Sequence, residues 1–137
     1  MTRNSNVIES FKGLIGNKNV ITNKWGKEPF ISGWRYGKGE ALAVVKPGTL
    51  LEMWQVLKVC VKNDVSVIMQ AANTGLTGGS TPFGNDYDRP VVIINTLRIT
   101  SIHLIKNAEQ IIALPGSSLY DLETKLKPLN KEPHSVI

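Results

Sequence analysis

The sequence contains little cysteine, few aromatic residues and no long hydrophobic run. Its single cysteine, Cys60, excludes an internal disulfide framework and a multi-cysteine metal site. The longest uncharged stretch, residues 65–85, is interrupted by glycines and a proline among Asn, Thr and Ser, so it is not a membrane-spanning helix. The first residues lack the apolar stretch of a secretory signal, because Glu9 and Lys12 interrupt it.

The chain of 137 residues is basic, and the excess of positive charge lies in its first half. Lys and Arg total 16 against 11 Asp and Glu, giving a net charge of +5. Two interpretations stay open: a solvated basic face, or attraction to an anionic membrane surface or an acidic partner. No nucleic-acid-binding motif is present, so nucleic acid is not expected as a partner. The length predicts one domain at most.

The first 40 residues are predicted to form an N-terminal helix followed by an extended arm. Apolar residues recur at helical spacing over residues 7–15, with Asn6 and Glu9 as a candidate start and Gly16 as the end. Residues 17–40 have no clear periodicity. This arm carries four large aromatic residues that we expect to pack on something: Trp25, Phe30, Trp34 and Tyr36.

From residue 41 the pattern is that of an α+β chain with an α/β-like core. Short apolar runs at 41–45, 65–69 and 91–95 predict three strands, the second of them buried on both faces. Thr49 and Glu52 form a capping box that opens a helix to about Lys62. Its apolar positions at helical spacing are Leu50, Met53, Trp54, Leu57 and Val61. We therefore predict a βαβ unit in a parallel three-strand subdomain with flanking helices.

The remaining elements predict an antiparallel hairpin and a last helix. Strands at 102–105 and 110–114 flank a turn at 106–109. Ser118 and Asp121 cap a helix that runs from Leu119 to about Leu126, and Pro128 follows it. The final residues, 134–137, include two β-branched residues and no polar tail, so we expect that this domain continues in a longer parent.

The glycine-rich segment 70–82 is the part of the sequence that indicates chemistry. It follows a buried strand directly, which is where open α/β sheets bind ligands. Gly75, Gly78 and Gly79 allow positive φ and a close approach of a ligand to the main chain. The neutral donors around them are Asn73, Thr74, Thr77, Ser80 and Thr81. Such a run of backbone N–H groups suits a diphosphate, and the alternative is a surface loop without a ligand.

Spacing excludes two familiar phosphate-binding loops. The GxGxxG pattern does not match, because Gly75 and Gly78 are three positions apart and position 77 is not a glycine. The Walker pattern does not match either, because Ser80 follows Gly79 without the required lysine. No Lys or Arg lies between Lys62 and Arg89. Transfer of a terminal phosphate needs charge neutralisation, so we expect this loop to hold a dinucleotide redox cofactor instead.

Other candidate sites are weak. His103 lies in a strand and is interpreted as structural, and His134 as either a packing residue or a neighbour of the cofactor. Asp86 and Asp88 suggest a turn with solvated charges, and Cys60 a core side chain. No spacing of His, Cys, Asp or Glu predicts a metal site or a nucleophilic triad.

Several blocks resemble a known family. Residues 41–48, 51–58 and 69–82 resemble the flavin-binding domain shared by vanillyl-alcohol oxidase and p-cresol methylhydroxylase relatives. The blocks Asn-Asp-Tyr-Asp at 85–88 and Glu-Pro-His-Ser at 132–135 are similar to those of the respiratory, quinone-dependent D-lactate dehydrogenases of bacteria. The similarity extends from about Phe11 to the last residue.

This resemblance implies a flavoprotein oxidoreductase with FAD as cofactor. The residues that match the family's flavin-diphosphate loop are Ala71, Ala72, Asn73, Thr74, Gly75, Gly79 and Ser80. Residues 41–137 would form a partial FAD-binding domain that includes the start of a second, antiparallel FAD subdomain. In the family, D-lactate is oxidised to pyruvate and electrons pass to quinone, at the cytoplasmic, inner face of the cell membrane.

The resemblance also implies that this chain does not hold the whole machinery. The family's second glycine-rich stretch, substrate domain and membrane-binding segments are expected beyond Ile137, so no catalytic residue is assigned here. The isolated chain is accordingly expected to be inactive. Two alternatives stay open: a nucleotide-binding or interaction module without redox activity, and a decayed remnant.

Overall fold

The computed structural model describes residues 2–133. It contains four α-helices and six strands within that range, joined by two short 3₁₀ helices at Asn17–Asn19 and Lys127–Leu129. The helices are α1 (Arg3–Ile15), α2 (Lys24–Ile31), α3 (Leu50–Lys62) and α4 (Leu119–Leu126). The strands are β1 (Val20–Ile21), β2 (Ala43–Val45), β3 (Ser66–Gln70), β4 (Val91–Asn95), β5 (Ile102–Ile105) and β6 (Gln110–Ala113).

The main sheet has the strand order β1-β2-β4-β3. Strands β2, β4 and β3 are parallel, and β1 adds to β2 in the antiparallel direction. The predicted parallel three-strand core with flanking helices is confirmed. The two strands of the β2–α3–β3 unit do not pair with each other, because β4 lies between them.

Helices cover both faces of this sheet. On one face α1 and α3 pack over β2 and β4, with Phe11, Val56 and Cys60 fully buried. On the other face α2 contributes Ile31, which packs against Val44 and Ile93. Burial on both faces explains why the first four residues of β4 are apolar, since all five of its residues, including the polar Asn95 at its end, are buried.

Three expectations are corrected by this arrangement. Helix α1 begins earlier, at Arg3, because the Thr2 hydroxyl accepts a hydrogen bond from the backbone N–H of Ser5. The supposedly extended arm contains α2, which Asn23 caps by accepting from the N–H of Gly26 at 2.6 Å. Strand β3 is an edge strand with Met69 partly exposed, and the strand buried on both faces is β4.

The antiparallel hairpin and the last helix lie where the sequence predicts them. Strands β5 and β6 pair in antiparallel register, and their turn carries three consecutive residues of positive φ, 106–108. Helix α4 has a complete capping box, in which Ser118 and Asp121 exchange hydrogen bonds between side chain and backbone. In α3 the fully buried residues are Val56 and Cys60, whereas Trp54 and Val61 face solvent.

Candidate functional site

The glycine-rich loop leaves the carboxyl end of β3, at the edge of the sheet where the three parallel strands end together. Gln70 is the last residue of β3, and it is paired with Asn95, the last residue of β4. The loop returns to β4 after residue 84, where Gly84 forms a parallel bridge with Gly39. It therefore lies in the position at which open α/β sheets bind ligands.

A buried amide pair fixes the start of the loop. The Gln70 side chain is 2% exposed, and its Nε2 donates to the carbonyl oxygens of Phe30 and Ser80, both at 2.8 Å. Asn95 is 1% exposed and donates through Nδ2 to the Ala71 carbonyl at 2.9 Å. These bonds join β3, β4, the end of α2 and the far side of the loop into one unit.

Asn73 ties the middle of the loop to the segment that follows α2. Its Nδ2 donates to the carbonyl oxygens of Ser32 at 2.9 Å and Pro29 at 3.4 Å. Its Oδ1 accepts from the Ser80 hydroxyl at 2.8 Å, across the loop. Asn73 also has φ +57°, the left-handed conformation that asparagine tolerates better than most residues. The side chains of Asn73 and Ser80 are therefore engaged in shaping the loop.

Two glycines allow a second segment, residues 32–38, to lie directly against the loop. Gly37 has φ +86°, and a Cβ there would overlap the Thr81 hydroxyl. Gly78 has φ +75°, and a Cβ there would come within 3.3 Å of the Tyr36 carbonyl oxygen. Both positions therefore need glycine for backbone conformation as well as for space.

The backbone of the loop offers a row of hydrogen-bond donors. Within residues 2–133, none of the N–H groups of residues 71–80 has a protein acceptor. No acidic residue lies in the loop before Asp86. A Cβ added at Gly75 or Gly79 would meet no heavy atom closer than 4.0 Å and 3.8 Å respectively. Free donors, neutral side chains and open space beside two glycines fit an anionic group such as a diphosphate.

The structure brings the seven predicted residues of this loop together but divides them by role. Ala71, Ala72, Thr74, Gly75 and Gly79 are exposed on the open side of the loop. Asn73 and Ser80 are half-buried, with the internal hydrogen bonds described above. The expectation that Gly75 and Gly79 supply positive φ is not met, since that conformation belongs to Asn73 and Gly78.

Among the described residues, the other candidates lie outside the glycine loop. The exposed His103 Nε2 is 2.8 Å from the Ser101 hydroxyl, and His134 lies outside the described residues. Cys60 is fully buried, and this burial raises the pKa of its thiol to about 11. A hydrogen bond from Arg89 lowers the pKa of Asp88, and Arg89 also pairs with Asp64 at 2.8 Å. Across residues 2–133, no group of three or more His, Cys, Asp or Glu residues is placed to hold a metal ion.

Sequence reasoning included Gln70 in the segment 70–82 but did not identify its bracing role, and it missed Asn95 and the segment 32–38 as parts of the site. Gln70 and Asn95 each follow an apolar run, and a polar residue at the end of two neighbouring apolar strands is a usable signal. The contact between residues 32–38 and the loop has no sequence signal, because more than 40 residues separate them.

Comparison with known proteins identifies the domain. A sequence profile described as an FAD binding domain matches residues 41–133, which is more than half of the chain. The chain belongs to this FAD-binding domain family. FAD is therefore its cofactor, and the free donors of the glycine loop suit the diphosphate of that molecule.

Curated relatives of this FAD-binding domain match almost the whole chain. It is 59% identical over 96% of its length to the quinone-dependent D-lactate dehydrogenase of Haemophilus influenzae. It is 53% identical over 99% to the enzyme of that name from Escherichia coli (strain K12), and 49% identical over 99% to that from Corynebacterium glutamicum. The chain spans only about a quarter of the length of these relatives, 23–24%.

Solved structures share the fold at low identity. p-Cresol methylhydroxylase with bound substrate matches with a TM-score of 0.74 at 16% identity, over 93% of this chain and 25% of that one. Alkyldihydroxyacetonephosphate synthase matches with a TM-score of 0.78 at 16% identity, over 91% of this chain and 25% of that one. These matches confirm the predicted fold class.

Proposed function

We propose that this chain supplies the diphosphate-binding part of the FAD site of a quinone-dependent D-lactate dehydrogenase. The observation that carries the proposal is the 49–59% identity to three enzymes of that name, over 96–99% of the chain. The exposed glycine loop, with its unpaired N–H groups, supports the same assignment from geometry.

The residues proposed to contact FAD are those of the loop's open side and its two internal braces. Ala71, Ala72, Thr74, Gly75 and Gly79 present backbone N–H groups to the diphosphate. Asn73 and Ser80 hold the loop in shape through the hydrogen bond between their side chains, and their own N–H groups also have no protein acceptor among the described residues. Close approach at Gly75 and Gly79 requires that no side chain occupy the open space there.

In the proposed reaction, D-lactate loses two electrons and two protons to become pyruvate. When bound, FAD supplies the hydride-accepting chemistry, and quinone receives the electrons. The substrate-contacting residues are proposed to lie outside these 137 residues, so the isolated chain is expected to have no dehydrogenase activity. Residues 1–40 and 41–137 are proposed as the two divisions of the chain, and the start of the matched profile at residue 41 supports that boundary.

The proposed location is the cytoplasmic face of the cell membrane, through peripheral contact. Quinone is a membrane-borne electron acceptor, and the net charge of +5 favours attraction to anionic lipid. Across residues 2–133, no helix has both the length and the apolar character needed to cross a bilayer.

The test uses the full-length polypeptide encoded by the gene, purified with FAD added. We expect stoichiometric flavin and bleaching of its visible absorbance by D-lactate, with L-lactate as the matched control. A soluble quinone analogue should then restore the absorbance. Flavin that binds but responds equally to both lactates would contradict the substrate assignment. Tight binding of ADP without any response to D-lactate would favour a nucleotide-binding module without redox activity.

A further inference from the structure

Residues 32–38, which we name the arm hairpin, form a tight turn beside the glycine loop. The Gly33 N–H donates to the Gly37 carbonyl at 2.7 Å, and Ser32 and Lys38 form an antiparallel bridge. At the tip, Trp34 and Tyr36 are 78% and 68% exposed, and Arg35 between them is exposed as well.

The arm hairpin is fixed to the glycine loop at several points. Asn73 donates to the Ser32 carbonyl, as described above, and Gly37 and Gly78 allow the two backbones to touch. At its end, the Gly84 N–H donates to the Lys38 carbonyl at 2.9 Å. The position of the tip relative to the free N–H groups is therefore set by the fold.

The arm hairpin supplies the charge that the glycine loop lacks. A diphosphate is anionic, and the loop contains no Lys or Arg between Lys62 and Arg89. Among residues 2–133, Arg35 has no hydrogen-bond or ion-pair partner, whereas its neighbour Lys38 pairs with Glu28 at 2.8 Å. A guanidinium can bind phosphate oxygens through two parallel hydrogen bonds, and Arg35 lies beside Tyr36, whose carbonyl oxygen lies close to Gly78 of the loop.

Large exposed aromatic side chains lie on the arm hairpin and next to the glycine loop in the sequence. Trp34 and Tyr36 lie on the arm hairpin, and Phe83, also exposed, lies near the end of the loop. Several large exposed aromatic side chains on neighbouring segments are typical of a surface that a ligand covers. FAD has both features, a diphosphate and two aromatic ring systems.

We propose that the arm hairpin is the second wall of the FAD site, with Arg35 binding the diphosphate and Trp34 lying against the dinucleotide. This inference rests on the proposed function, because it takes FAD as the ligand of the loop. It assigns cofactor contacts to a segment before residue 41, where the matched domain profile begins. Arg35 is thus a binding residue that comes from outside the glycine loop.

The experiment measures FAD affinity by adding FAD to the apo form of the full-length polypeptide encoded by the gene. We expect Arg35→Gln to weaken FAD binding about tenfold, which corresponds to roughly 1.4 kcal/mol. Arg35→Lys should recover part of that loss, because it keeps the charge without the paired geometry. The matched control is Lys62→Gln, which removes one exposed positive charge at the end of α3, before β3 begins and far from the loop.

A second measurement does not depend on Arg35. FAD binding should quench tryptophan fluorescence in the wild type, and Trp34→Phe should remove most of that quenching. Trp54→Phe on the exposed side of α3 is the control and should leave the quenching in place.

The outcomes separate the two proposals. A wild type that binds no FAD overturns the proposed function and this inference with it. A wild type that binds FAD, with Arg35→Gln and Lys62→Gln equal in affinity and the quenching unchanged in Trp34→Phe, overturns the inference alone. Circular dichroism of each variant verifies the fold, which we expect to be intact because Arg35 and Trp34 are exposed.

Discussion

Asn95 donates a hydrogen bond from its side-chain amide to the side-chain oxygen of Gln70 at 3.2 Å, across the carboxyl ends of two neighbouring parallel strands. Both side chains are buried, and their other hydrogen bonds reach the loop at Ala71 and Ser80. The pair therefore connects the ends of β3 and β4 to the glycine loop. A fixed loop keeps its N–H groups aligned before any ligand arrives, which lowers the cost of ordering on binding.

Removing the Gln70 side chain should destabilise the fold. Gln70→Ala leaves the carbonyl oxygens of Phe30 and Ser80 and the amide of Asn95 without this partner in a buried place. An unsatisfied buried polar group costs about 1–3 kcal/mol, so we expect the free energy of unfolding to fall by about 2–3 kcal/mol in urea denaturation. Gln110→Ala, at an exposed strand position, is the control and should change it by less than about 0.5 kcal/mol.

Two substitutions at Asn73 can separate the role of its backbone conformation from that of its side-chain hydrogen bonds. Asn73→Ala loses the hydrogen bonds to Ser32 and Ser80 and places alanine at φ +57°. Asn73→Gly loses the same bonds but accepts that φ, so it should be more stable than the alanine variant by about 1 kcal/mol. Both variants should show faster amide hydrogen exchange across residues 71–80. Equal stability of the two variants would contradict the assigned backbone conformation.

Side chains added at Gly75 or Gly79 should block the ligand without disturbing the fold. No protein atom lies closer than 3.8 Å to the added Cβ at either position, so Gly75→Val and Gly79→Val should keep a Tm close to that of the wild type. FAD occupancy should fall sharply, because the side chain fills the space beside the N–H groups. Unchanged occupancy in both variants would show that the diphosphate binds elsewhere.

Two glycines outside the row of donors should respond in opposite ways to alanine. Gly37→Ala combines φ +86° with overlap onto Thr81, so it should be strongly destabilising. Gly13→Ala lies in α1 with no atom within 4 Å, so it should stabilise the protein by about 1 kcal/mol through helix propensity. Thermal unfolding of the two variants against the wild type measures both effects.

The thiol of Cys60 should be unreactive in the native protein. Its titration should also lower the free energy of unfolding at high pH. Burial raises the pKa of its thiol from 9.0 to about 11, so at pH 8 it is almost entirely protonated and should resist alkylation until the chain unfolds. Above pH 9 the unfolded chain loses this proton while the native chain retains it. The free energy of unfolding should therefore fall between about pH 9 and 11, with a smaller fall in Cys60→Ala. Rapid labelling of the native thiol at pH 8 would contradict this assignment.

Local signals in the sequence were sufficient to predict the helix caps and turns that depend on local contacts. Thr49 caps α3 by accepting from the Glu52 N–H, although Glu52 itself accepts from Gly48 rather than completing the box. The turn between β5 and β6 and the box of Ser118 and Asp121 are equally local. Each depends on residues within four positions of one another, which a sequence pattern can represent.

The features that the sequence did not predict depend on long-range packing. Gly26 and Pro29 hide α2 from a propensity argument, and the helix is held by its Asn23 cap and by Ile31 against the sheet. The apolar runs at 65–69 and 91–95 look alike, so their sequence does not show which strand is central. The braces of the glycine loop, Gln70 to Phe30 and Asn73 to Ser32, join residues about 40 positions apart.

The insertion of β4 between β2 and β3 has a consequence for how the chain acquires its structure. Both parallel pairings of the sheet require β4, so neither can form until residues 91–95 are available. During synthesis the first 90 residues hold two strands of the future core with a gap between them. Contacts of this sequence separation slow folding, so completion of the sheet should be a late, cooperative step. The glycine loop, which spans β3 and β4, gains both of its fixed ends only in that step.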